Sequence, residues 1–189
     1  MLIAISGSQG SGKSTVLNEL ENRGYPIVKR KTSRSVLKDW NVSLEEVNND
    51  PSLSCNFQAE LTNRKYKDEF NALHSDDVEF TERTHADLFT YTLVNLGKFN
   101  EHSDWLNEYY STCMMYQAEY SLVFYLAGGQ FQIEYDGVRG SNQHYGRMID
   151  LTMFEFTKQM THPSKMNVID VLNINDRTNI ILTQTKTVI

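Results

Sequence analysis

The chain has 189 residues, 40% of them hydrophobic and 22% charged, with a formal net charge of −6. That length supports one domain with a sizeable core, and the acidic balance argues against a broad nucleic-acid surface. No stretch reaches the about 18 consecutive apolar residues of a membrane span, and the apolar opening is too short and too soon followed by glycines for a signal peptide.

Leu2 to Ser6 is a short apolar run that ends at glycine and predicts a buried strand. From Gly12 onward Val16, Leu17 and Leu20 fall at helical spacing, and Gly24 predicts the C-terminal stop. "YPIVK" (25–29) reads as a second strand, at an edge because of Pro26. "TSRSVLKDW" predicts a short helix capped by Thr32 or Ser33. Asp50-Pro51 is a cap and first-turn pair for a long helix to Leu73, with Phe57, Leu61, Phe70 and Leu73 on its buried face. "DVEFTE" predicts a third strand ending near Thr81, and "HADLFTYTLVNLGK" a helix closing at Gly97. A helix capped at Ser103-Asp104 runs through Tyr120 into the strand "SLVFYLAGG". The stretch from Gly140 to Met160 is helical through Met148, Leu151 and Phe154 or Glu155. "MNVIDVL" is the last strand, and "NDRTNIILTQ" the last helix, with Asn175 as its cap. Alternating strands and helices predict an α/β fold: about five strands in a mostly parallel sheet, covered on both faces.

Gly7 to Thr15 reads "GSQGSGKST" and fits G-x-x-x-x-G-K-[ST]. Glycines let backbone N–H groups turn inward around a phosphate chain, and the helix that follows aims its unpaired N–H groups and positive dipole end at the same anion. Lys13 then reaches the β/γ-phosphates and the Ser14 hydroxyl ligates Mg²⁺. The alternative is a glycine-rich turn that merely links strand to helix; the strand before the motif and the helix after it favour the phosphate reading. Ser8, Gly10, Ser11, Gly12, Lys13, Ser14 and Thr15 are therefore the expected ATP contacts, with Lys13 in a solvent-open loop.

No N-K-x-D box for reading guanine occurs. Glu82 and Arg83 follow the third strand at the sheet edge where ligands bind in doubly wound folds. Glu82 can hold Mg²⁺ or accept a proton from a substrate hydroxyl, and Arg83 can grip an anionic group in bidentate fashion; a surface pair capping the next helix is the alternative. The segment 134–147 carries Arg139 and Arg147 among glycines 137, 140 and 146, and reads as a lid whose arginines neutralise charge on a transferred phosphoryl group. An exposed loop with two solvated arginines is the other reading. Lys29, Arg30, Lys31 and Arg34 form a basic run in which Arg34 is the candidate for an acceptor phosphate, against a solvated face. The five histidines show no metal-ligand spacing, and His85 reads as a helix N-terminal residue. Trp105, Tyr109, Tyr110, Tyr116 and Tyr120 read as helix packing. Cys55 and Cys113 lie far apart without a partner motif, which argues against a disulfide framework or zinc site and fits a reducing cytosol.

Together, "GSQGSGKST", "TSRSVLKDW", "FTERTHADLFTY", "VFYLAGG" and "DGVRGSNQHYGRMID" resemble the P-loop kinases of nucleosides, nucleotides and small metabolites. The resemblance is closest to the AAA_28-type, NadR-like branch and its bacteriophage relatives among the deoxynucleoside monophosphate kinases. It implies a P-loop NTPase fold in one domain, 1–189, with a parallel sheet in the order 2-3-1-4-5. It further implies ATP and Mg²⁺ as donor and metal, the metal at Ser14 and Glu82. Lys13, Glu82, Arg139 and Arg147 would be the catalytic set, and Arg34, Arg83 and Asp87 the substrate contacts, Asp87 in an orienting role. Glu82 stands where an Asp is more usual, so base and metal-shell roles could be divided differently. The implied activity is transfer of the γ-phosphoryl of ATP to a small acceptor, foremost a (deoxy)nucleoside monophosphate. A nucleoside, ribosylnicotinamide or modified DNA base is the alternative acceptor, and a slow nucleotide-binding switch the reading from another class. The expected partner is a small nucleotide rather than a membrane or nucleic acid, with a homodimer compatible, and the expected location is the cytoplasm (the host's, if phage-encoded).

Overall fold

The computed structural model describes residues 1–29, 32–128 and 142–188. Its sheet is built from β1 (Leu2–Ser6), β2 (Glu79–Glu82), β3 (Leu122–Leu126) and β4 (Met166–Ile169), all paired in parallel in the order β2-β1-β3-β4. Parallel pairing requires crossovers, and helices supply them: α1 (Lys13–Asn22), α2 (Ser33–Trp40), α3 (Leu44–Asn49), α4 (Pro51–Leu73), α5 (His85–Leu96), α6 (Ser103–Gln117), α7 (Gln143–Met160) and α8 (Ile174–Thr185).

The sheet has four strands among the described residues, where five were expected. The stretch 25–29 runs beside β2 yet keeps only one bridge, Ile27 to Phe80. Phe80 donates to the Pro26 carbonyl and Val28 donates to the Phe80 carbonyl. Pro26 has no N–H to give, so the ladder stops where a further donor is needed. The four strands keep the relative order that the resemblance implied.

The period of two along β1 sorts the core into layers. Ile3 and Ile5 pack with Phe80, Phe124 and Ile169 against Val16 and Leu20 of α1 and Ile181 of α8. Leu2, Ala4 and Val123 face the other way, toward Ala72 of α4 and Tyr120. On that side α5, α6 and α7 join through Phe89, Tyr109, Cys113 and Met160, while Val36, Val47, Phe57, Leu61 and Leu88 tie α2 and α3 to α4 and α5. Trp105 stacks on Tyr109, and Tyr116 on Tyr66, so those aromatic rings pack between helices. Both cysteines are free and buried.

Several helix details differ from the sequence reading. α3 was not foreseen, although Ser43 and Glu46 form a complete capping box at its start. α6 ends at Gln117, short of Tyr120, and α8 is capped by Asn173 through bonds from the Asn175 and Asp176 amides, so Asn175 lies inside the helix. Phe70, placed on the buried face of α4, is 47% exposed. In α7 the buried stripe is Ile149, Met153, Thr157 and Met160, while Met148 and Leu151 are 44% and 61% exposed. This helix carries two apolar stripes, and contact with Tyr125 of β3 and with Tyr91 and Val94 of α5 decides which one turns inward. No helix among the described residues is long and apolar enough to cross a membrane.

Candidate active site

β1 ends at Ser6, and the chain turns at once through Gly7, Gly10 and Gly12, with φ of 135°, 76° and 88°. Such angles are open to glycine and strained for other residues. Gly7 is also closely packed: a Cβ there would lie 2.5 Å from the Leu126 carbonyl and 2.8 Å from Ser11 Oγ. Lys13 opens α1 and folds back over the loop. Its Nζ donates to the Gly7 and Ser8 carbonyls at 2.7 Å each and to Ser11 Oγ at 3.3 Å. Lys13, expected in a solvent-open loop, is only 5% exposed. Ser8 and Ser11 are buried beside it, Gly10 and Gly12 are half-buried, and Ser14 and Thr15 stand exposed on the first turn of α1. The result is a glycine turn whose carbonyls hold an ammonium, followed at once by a helix N-terminus, a combination of positive groups that can hold polyphosphate.

β2 brings the second part. In the parallel register Ile5 pairs with Glu82, so Glu82 ends its strand beside the start of the glycine loop. Arg83 follows with φ 66°, and its N–H donates to the Ile5 carbonyl at 2.9 Å. That left-handed step turns the guanidinium over the Tyr91 ring, 5.2 Å from its centroid. Burial works against the charge on Arg83, but Tyr91, Asp87 and Glu82 outweigh it and hold its pKa above the ordinary value. Its Nη1 is buried without a hydrogen-bond partner, a donor available for an anion.

Asp87 is fully buried on the first turn of α5. Its Oδ1 accepts from Ser6 Oγ at 2.5 Å and from Thr84 Oγ1 at 2.8 Å, while the Asp87 amide donates to Thr84 Oγ1 as a helix cap. Oδ2 is buried with no partner. Asp87 therefore ties the end of β1 to the turn that carries Glu82 and Arg83.

The AAA_28 family model, an AAA domain, matches residues 2–177. The chain belongs to the AAA_28 family. A deoxyadenosine kinase from M. mycoides with bound dATP superposes with a TM-score of 0.74 at 19% identity, over 98% of this chain and all of that one. Thymidylate kinase from Candida albicans gives 0.66 at 14% identity, over 98% of this chain and 91% of that one. The NadR protein in complex with NR gives 0.65 at 12% identity, over 98% of this chain and 51% of that one. At these identities the likeness establishes a shared fold, a parallel α/β sheet with helices on both faces. No match was found among curated protein sequences.

In this AAA_28 chain the other foreseen residues are placed less closely. Arg34 is exposed on the first turn of α2, and Arg147 is exposed on α7, three positions before Asp150. Arg139 and most of the segment 134–147 lie outside the described residues, as do Arg30 and Lys31. Sequence reasoning missed two elements of the site. Tyr125 donates to both the backbone and Oδ1 of Asp150 at 2.9 and 2.8 Å, and a Cβ on Gly128 would lie 2.2 Å from both Asp150 Oδ1 and Ser8 Oγ, so α7 closes against the glycine loop. Beneath Glu82, Lys65 and Glu69 of α4 form a buried ion pair. Lys65 Nζ also donates to the Glu82 carbonyl at 3.3 Å, and Glu69 accepts from Thr81 Oγ1 at 2.5 Å and Tyr120 at 2.9 Å. Glu69 Oε2 lies 3.7 Å from His85 Nε2. The i,i+4 spacing of Lys65 and Glu69 was legible, but it reads as a surface pair until burial is known.

Proposed function

We propose that this protein is an ATP-dependent kinase that transfers the γ-phosphoryl group to a (deoxy)nucleoside monophosphate. The observation that carries the reading is the Ile5–Glu82 register, which sets a carboxylate on the strand next to the glycine loop. An acid there can take the proton of an acceptor hydroxyl or hold the metal of the bound nucleotide. In this reading the loop residues Ser8 to Thr15 cradle the ATP phosphates, and Lys13 pairs with their charge. Glu82 accepts the proton of the acceptor hydroxyl as the phosphoryl group leaves ATP, and Arg83 offers its unpaired Nη1 to the acceptor phosphate. Arg34 supplies a second cation for that phosphate. Arg139 and Arg147 neutralise charge on the group in transfer, a role drawn from their place in the sequence.

Ser14 and Glu82 offer hard oxygen ligands, the small protein share that suits Mg²⁺ when phosphates and water complete its octahedron. Bound there, the metal would neutralise charge on the β- and γ-phosphates.

A second reading, a nucleoside acceptor, draws on the deoxyadenosine kinase whose fold spans this chain. A panel separates the two: transfer from labelled ATP to dTMP, dGMP, dAMP and dCMP beside thymidine, deoxyguanosine and nicotinamide riboside. The monophosphates are expected to win, because an acceptor without a phosphate leaves the buried Arg83 Nη1 without a hydrogen-bond partner. Arg34→Ala is expected to raise the acceptor KM with little effect on ATP. A faster nucleoside replaces the first reading with the second, and ATP hydrolysis with no acceptor removes both.

A further inference from the structure

A side chain near the end of the chain holds the glycine loop from behind. Arg177, on α8, is 1% exposed. Its Nη1 donates to the Ser11 carbonyl at 2.6 Å, and its Nε to the Val171 carbonyl at 2.5 Å. Placing a charge here is costly in two ways. Burial pulls the guanidinium pKa down, and a cation near a helix N-terminus opposes the helix dipole. A well-packed apolar side chain would avoid both costs. What the guanidinium supplies is direction. The Ser11–Gly12 peptide is planar and trans, with its carbonyl and N–H on opposite edges. Arg177 takes the carbonyl edge, so the Gly12 N–H leaves from the other side. Gly12, the N-cap of α1, brings no side chain to satisfy the first amides of the helix, which leaves them to face a bound anion. Lys13 holds the same serine through Oγ, and the two cations together fix both polar ends of Ser11. The Val171 bond adds a second constraint, because Val171 follows β4 at the edge of the sheet that also carries the glycine loop.

We propose that Arg177 is a positioning residue for the phosphoryl donor. By holding the Ser11 carbonyl it aims the amides of the glycine loop at the ATP phosphates and couples that loop to the turn after β4. The inference rests on the reading of the loop as the ATP site and is independent of the acceptor.

The test uses the full chain with Arg177→Met and Arg177→Lys, measuring Mg-ATP affinity by calorimetry and the KM of each substrate. Arg177→Met is expected to weaken ATP at least about tenfold while the acceptor KM stays within about twofold. Arg177→Lys, which keeps one donor on the loop, is expected to recover part of the loss. A purely structural residue would lower thermal stability and leave ATP affinity alone, or shift both substrates together; either result overturns the proposal. If Arg177→Met does not fold, Arg177→Lys decides, and wild-type ATP affinity in that variant overturns it. A wild-type chain that binds ATP but phosphorylates no acceptor removes the kinase reading and leaves the affinity comparison valid. A wild-type chain that binds no nucleoside triphosphate overturns both.

Discussion

Ser6 Oγ donates to Asp87 Oδ1 at 2.5 Å across 81 positions of sequence, and the second oxygen of the same carboxylate is buried without a partner. Asp87 thus joins the strand before the glycine loop to the helix after Glu82 and Arg83. Asp87→Ala leaves the Ser6 and Thr84 hydroxyls buried without that acceptor and is expected to cost about 1–3 kcal/mol in urea denaturation. Asp87→Asn keeps an acceptor at Oδ1 and is expected to cost less. Equal losses in the two variants would show that the carboxylate oxygen is not what holds Ser6.

Glu82→Gln preserves shape and removes the charge. If Glu82 is the base, kcat is expected to fall on the order of 10²-fold or more, with ATP affinity within about threefold. Steady-state kinetics beside ATP calorimetry checks both. An unchanged kcat would leave Glu82 with a structural role at the end of β2.

The buried cluster beneath Glu82 predicts a loss of stability in acid. Burial pushes the Glu69 carboxyl up, but Lys65 and His85 outweigh it and bring it from 4.5 down to about 2. A depressed acid contributes stability above its unfolded value, and that contribution is lost as pH falls from 4.5 toward about 2. Burial lowers the His85 pKa below its ordinary 6.5, so the unfolded chain takes up that proton first and stability also declines below pH 6.5. Urea midpoints measured from pH 8 to 3 should fall in both ranges. His85→Gln is expected to flatten the decline below pH 6.5, and Glu69→Gln the part below 4.5. A wild-type midpoint that does not change below pH 6.5 would contradict this assignment.

Gly128→Ala places a methyl group 2.2 Å from both Asp150 Oδ1 and Ser8 Oγ. Both must give way, and Asp150 is held by Tyr125. Overpacking of this kind costs about 1–3 kcal/mol, so the melting temperature is expected to drop by several degrees. ATP affinity should fall with it, because Ser8 belongs to the glycine loop. A variant that keeps wild-type stability and affinity would mean that Asp150 and Ser8 separate freely.

Local chemistry was legible in the sequence by itself. The glycine loop, the Asp50-Pro51 start of α4 and the alternation of strands with helices depend on residues a few positions apart, so their signals survive in one dimension. Glu82 and Arg83 were singled out the same way, from their place after a strand. Only tertiary structure decided which apolar stripe of α7 faces the sheet, because Ile149–Met153 and Met148–Leu151 offer similar periodicity. It also decided that Pro26 reduces an expected strand to one bridge. The partners of Asp87, Lys65 and Arg177 were equally out of reach. Each is a charged side chain of the kind that lies on surfaces, and its burial depends on atoms supplied by other segments, in the case of Arg177 and Ser11 166 positions away. Charge in a sequence shows what a side chain can donate or accept; which distant carbonyl or carboxylate meets it is settled only when the sheet brings the segments together.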